Sequence, residues 1–211
     1  MKMRTLFYLF AALIIYLNSC VGCKDNCTGN LQFNLPLQAY GIKDTLYLGD
    51  TLRVKLEIPD KLAERYSGNG YDFIDYNFKL VTYIVKVDSL PTTADSKGTF
   101  DWTTLEGESK YLGGVFLVTP YYSNHVYHYE VLISPKTKGL FVFGMNSDFL
   151  QLSPLEKLDG PCSKEPVEVF MKLENIANTN FEFLKLSPDP SQANTSKQRF
   201  EEYAGFCFFV R

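Results

Sequence analysis

The chain has 211 residues, of which 45% are hydrophobic, 15% aromatic and 21% charged, with a formal net charge of −3. That is enough apolar material to fill a core and is unlike the composition of a disordered tail. The mild acidity and lack of clustered lysine and arginine argue against nucleic acid as a partner, because such binding rests on cations neutralising phosphates, and they leave no basic patch for anionic lipid headgroups.

At the N-terminus, Met1-Lys2-Met3-Arg4 precedes the apolar run Leu6 to Leu17, and Asn18-Ser19 and Cys20 follow it. Basic, then apolar, then small and polar is the order of a secretory signal. A membrane-spanning helix needs roughly 20 apolar residues. The run stops well short of that, so cleavage is expected rather than retention.

Leu17-Asn18-Ser19-Cys20 resembles the lipobox of bacterial lipoproteins. The resemblance implies that the Cys20 thiol carries a diacylglycerol group and that the mature protein begins there. Asn18-Ser19 before the cysteine and Lys24-Asp25 after it are similar to lipoproteins of the Bacteroidetes group. That likeness implies anchoring at the outer membrane, on its periplasmic face or at the cell surface. The expected organisation is a signal peptide over 1–19, a lipidated tether over 20–30 and one β-sandwich domain over 31–211.

Cys20, Cys23 and Cys27 form C-x2-C-x3-C, a spacing that elsewhere suggests zinc or an iron–sulfur cluster. With Cys20 committed to lipid the metal reading falls away, and no cofactor is expected. Cys23, Cys27, Cys162 and Cys207 remain, an even set that permits two disulfides in any of three pairings.

The clearest strand is Asp50 to Ile58, where Leu52, Val54, Leu56 and Ile58 alternate with Thr51, Arg53, Lys55 and Glu57, so that the apolar set shares one sheet face. Pro59 ends it for want of an N–H. With Thr45 to Leu48 and the turn residues Gly49-Asp50, the unit reads as a hairpin. Asn77 to Val87 is apolar on both faces, as in the middle of a packed sheet. Asn124 to Ser134 and Leu140 to Phe143 repeat the theme around the turn Pro135 to Gly139. Further strands are expected at Leu31 to Leu35, Gly114 to Thr119, Val167 to Leu173 and Phe206 to Val210. One short C-terminal helix is expected over Ser191 to Tyr203, stopped by Gly205.

Many short strands with little helix predict a mainly β fold, two sheets face to face. The segments Ile42 to Leu46, Leu48 to Leu52 and Tyr129 to Ile133 resemble immunoglobulin-like modules of bacterial envelope proteins. The resemblance implies an antiparallel β-sandwich and brings no catalytic motif. Trp102 and the cysteines do not follow the Cys…Trp…Cys order of antibody domains.

Chemistry-bearing residues are sparse. His125 and His128, the only histidines, stand three apart in a predicted strand and so face opposite ways, a poor metal pair. No G-x-S-x-G elbow accompanies them. Asp72 and Asp75 flank an aromatic stretch, and Glu106 and Glu108 follow Trp102, so a glycosidase-like carboxylate pair is the enzymatic alternative. Tyr66 and Tyr71 around Ser67-Gly68-Asn69-Gly70, and Tyr121-Tyr122 after Pro120, are candidate ligand-contacting rings of the kind that stack on sugars or meet protein partners. The expected role is therefore non-enzymatic: a membrane-anchored envelope component with a binding or structural role, its partner a glycan or another envelope protein.

Overall fold

The computed structural model describes residues 30–90, 92, 96–147, 158 and 167–211. Over these the chain forms strands β1 (Leu31–Tyr40), β2 (Thr45–Leu46), β3 (Leu52–Pro59), β4 (Lys61–Ala63), β5 (Gly70–Asp72), β6 (Leu80–Lys86), β7 (Phe100–Glu106), β8 (Glu108–Leu112), β9 (Val115–Thr119), β10 (Tyr121–Ser123), β11 (Val126–Pro135), β12 (Gly139–Ser147), β13 (Val167–Leu173) and β14 (Phe206–Val210). Helical turns occur at α1 (Ser96–Thr99), α2 (Pro190–Ala193) and α3 (Lys197–Glu202), with a 3-10 helix at Phe181–Leu186. No helix among the described residues is long and apolar enough to cross a membrane.

The expected mainly β sandwich is present. Its front sheet runs β10–β11–β3–β1–β13, with β7 beside the second half of β11, and its back sheet runs β2–β14–β12–β6–β9–β8. In β3 the alternation read from the sequence does its work: Leu52, Val54, Leu56 and Ile58 are fully buried, while Arg53 and Glu57 face solvent. They meet Phe33, Leu35, Tyr129, Phe141, Phe143 and Phe206 in one core between the sheets.

The middle of the back sheet is dry on both sides. Every residue of β12 from Leu140 to Asn146 is buried, because the 3-10 helix and α3 cover its outer face. There Val87, Leu140, Val142, Leu184, Phe200 and Cys207 form a second, smaller core. The two-sided apolar pattern of Asn77 to Val87 has the same cause, although the strand begins only at Leu80.

Two strands pass through both sheets. The chain leaves β7 in front for β8 behind at Gly107, and leaves β9 behind for β10 in front at Pro120. Gly107 has φ 73, and a Cβ there would stand 2.9 Å from the Thr119 carbonyl oxygen. Only glycine fits so close an approach in a left-handed conformation.

Three expectations are corrected. The hairpin from Thr45 to Ile58 does not form: Tyr47 to Asp50 is a turn, closed by the Asp50 N–H on Tyr47 O at 3.0 Å, but it sends the chain from one sheet to the other, and β2 pairs in parallel with β14. Nor are the sheets wholly antiparallel, since β1 and β13 also pair in parallel, Leu31 opposite Val167 through Leu37 opposite Leu173. Finally, the single C-terminal helix is two short ones. Asp189 caps the first through the Ser191 N–H and Ser196 caps the second through the Arg199 N–H. Ser196 restarts the helix by supplying the acceptor that the first-turn N–H groups need. The second ends with the Ala204 N–H on Glu201 O and the Gly205 N–H on Phe200 O, a Schellman arrangement. Its left-handed residue is Ala204, at φ 47. Gly205 is required for another reason: a Cβ there would meet Phe200 at 2.7 Å.

Candidate functional site

The structure scatters most residues singled out from the sequence. Tyr71 is buried and packs edge-on to Phe33 at 5.6 Å. Tyr121 is exposed and stacks on His128 at 5.2 Å, on the solvent face of the front sheet. Tyr122 turns inward and donates its hydroxyl to Asp60 Oδ2 at 2.8 Å. His125 precedes β11, in a turn with φ 66, and its Nδ1 lies 2.8 Å from the same Asp60 oxygen. The His125 and Tyr122 hydrogen bonds hold the Asp60 carboxyl below the usual carboxylate range. The result is a clasp between loops, with the imidazole out in solvent.

The carboxylates singled out from the sequence stand as follows. Asp72 faces Lys61 at 3.5 Å, Asp75 sits at φ 58, and Glu106 and Glu108 flank the Gly107 corner on different sheets. Among the described residues no group of histidine, cysteine and carboxylate side chains is arranged to hold a metal ion. Cys207 is a free thiol, fully buried, and burial pushes its pKa up to about 12. Cys20, Cys23, Cys27 and Cys162 lie outside the described residues.

Tyr66 is different. It stands 76% exposed at the tip of the loop between β4 and β5, and the loop is built to hold it there. The Glu64 carboxylate, only 6% exposed, accepts the N–H groups of Ser67 at 2.6 Å, Tyr66 at 3.0 Å and Gln32 at 3.3 Å. Burial opposes its charge, yet these donors outweigh it and its pKa falls below the usual range. The loop docks on β1 through the Arg65 N–H and Gln32 O, 2.7 Å apart.

Arg65 then builds a groove. Its guanidinium lies 5.9 Å from the Tyr66 ring and 5.0 Å from the Phe170 ring, and 3.6 Å from the Glu202 carboxylate. Asn34 on β1 is opposite Phe170 on β13 in register. Asn34, Arg65 and Phe170, together with Gln198 and Glu202 of α3, line a cavity of about 440 Å³, which Tyr66 meets through Arg65. A second lobe of about 470 Å³ lies between the end of β13 and the 3-10 helix, with Phe181 and Phe183 in its wall. Lys172, Lys197 and Glu201 line both lobes. This size suits a small ligand or a few sugar units. In the first lobe the Phe170 ring and the Asn34 and Gln198 amides line the same space.

Sequence reasoning found Tyr66 but not its companions. Asn34, Arg65, Phe170, Lys172 and Gln198 come from four separate stretches of chain, and only the parallel pairing of β1 with β13 and the packing of α3 assemble them.

No protein-family model matches the chain, and no curated protein matches it. Among solved structures it is similar to AvmM, which catalyses macrocyclisation in alchivemycin A biosynthesis, at 13% identity over 67% of this chain and 85% of that one, with a TM-score of 0.27. At that score the likeness carries no argument.

Proposed function

We propose that this protein is a lipid-anchored component of a bacterial envelope whose β-sandwich binds a glycan without transforming it. The anchor rests on the basic, apolar and small-residue order that ends at Cys20. Two or three acyl chains hold a protein at a membrane where a single chain is marginal. The binding role rests on one observation, the groove lined by Arg65 and Phe170, with the exposed Tyr66 ring against the same guanidinium. A loop pinned by a buried carboxylate presents an exposed ring without first having to order it, and such preorganisation favours binding.

Two measurements test the proposal. Mass spectrometry of the protein from its native membrane should give a chain starting at Cys20 with diacylglycerol attached; a free Cys20 or an intact signal would remove the anchor. A glycan array probed with the lipidated protein in detergent should give binding that Tyr66→Ala weakens at least about tenfold, or ~1.4 kcal/mol. No glycan bound would end the binding role. Products released from the glycan would replace it with the hydrolase alternative.

A further inference from the structure

We infer that the groove reads an acidic oligosaccharide, one with carboxylates on its sugar rings, and that Lys172 is the residue that reads the charge. This rests on the glycan-binding role proposed above and names the class of glycan.

The charges lining the groove are mostly paired: Glu182, in the wall of the second lobe, meets Lys185 of the same 3-10 helix. Glu201 faces Lys197 at 3.7 Å. Glu202 faces Arg65 at 3.6 Å and accepts from Gln198 Nε2 at 3.1 Å. Lys172 has no carboxylate within ion-pair distance among the described residues, and its cross-strand neighbour in register is Pro36, which has no charge to offer. Among the described residues the groove therefore holds one open cation, at the junction of its two lobes. An ammonium on a long stem attracts an anion as a point charge without demanding one geometry.

The spacing fits a sugar acid. Phe170 and Lys172 are two residues apart on the same face of β13, hence roughly 7 Å apart along the strand. A pyranose stacked on the Phe170 ring would present a ring carboxylate toward the Lys172 ammonium, with the Asn34 amide beside it for hydroxyls. Tyr66, beyond Arg65, would take the next unit.

Other anionic partners fit less well. A single open cation is too little for a nucleic acid, whose binding needs many neutralised phosphates. A peptide strand would add at a sheet edge, but at Met171 the outer edge of β13 is bridged by Tyr203.

The test is isothermal titration of the full lipidated protein in detergent micelles with trigalacturonate, its methyl ester and a hexaglutamate peptide. The expected result is a Kd for trigalacturonate about tenfold below that of the ester. Lys172→Gln should bring the acid and ester Kd values within about twofold of each other, and Lys172→Arg should keep the difference. Raised salt should shrink it. Equal affinity for acid and ester, or discrimination that survives Lys172→Gln, would overturn the acidic specificity and leave glycan binding standing. Binding of hexaglutamate with neither saccharide bound would overturn both.

Discussion

The two sheets share one core but treat their outer faces oppositely. On the front sheet Arg53 meets Glu130 through two hydrogen bonds of 2.8 and 2.7 Å, and Tyr121 lies over His128, with Arg53 and Tyr121 exposed to water. Behind, the corresponding positions are Val85, Val142, Cys207 and Phe209, roofed by Phe181, Phe183, Leu184 and Phe200. A strand with one wet face must alternate, so its register is written in its sequence. A strand dry on both faces carries no such mark, and its place depends on what covers it.

Substitutions on the two outer faces should therefore differ most. Val142→Asn loses apolar burial and places an amide where no partner is described, at a cost of about 3–5 kcal/mol; urea unfolding measures it, and a loss under about 1 kcal/mol would mean that the helical roof lifts easily. Gly144→Ala tests the fit of that roof's edge, since a Cβ would stand 2.4 Å from the Tyr83 ring, whose hydroxyl burial already pushes up to about 12. Overpacking of this kind costs about 1–3 kcal/mol, read as a lower Tm.

Glu64→Gln removes the charge-assisted acceptor for three N–H groups, for a loss of about 1.5 kcal/mol near neutral pH. Because folding lowers the Glu64 pKa, the unfolded chain binds the extra proton, and the contribution is complete above about pH 4.3 and disappears as pH falls through the folded value. Urea titrations at about pH 6 and about pH 3 should show the gap between parent and variant closing at the acidic end. The smallest effect belongs to Thr103→Asn, exposed on β7 of the front sheet; it should stay within about 0.5 kcal/mol. A loss comparable to that of Val142→Asn would erase the distinction between the two outer faces.

The same contrast explains what could be read before the structure. Leu52 to Ile58 and Asn77 to Val87 declare a strand through period and β-branched residues. β7 and β8 do not, because their inward positions, Trp102, Thr104 and Ser109, are partly polar and satisfied by one another: Ser109 Oγ meets Thr104 Oγ1 at 2.8 Å and Tyr129 Oη at 2.9 Å. The parallel pairs were equally hidden, since β1 and β13 lie far apart in the chain with no turn to announce them. The break at Asn194 and Thr195 that divides the expected helix in two carries no proline or glycine to announce it. In the groove, Tyr66 was visible as a ring in a glycine-rich loop. Lys172 was one lysine among many until Pro36, Phe170 and α3 surrounded it.

The position of β1 has a mechanical consequence. It lies between β3 and β13, bonded to both, and it begins at the end of the chain that the proposed anchor would hold. A pull on that end runs along the strand and loads both ladders lengthwise, so that many bonds must yield together rather than one after another. Single-molecule stretching from the N-terminus should then need markedly more force than stretching from Arg211, whose strand β14 is bordered by the two-residue β2. Asn34 rides on the better-braced strand, so the groove would keep its shape under such a pull.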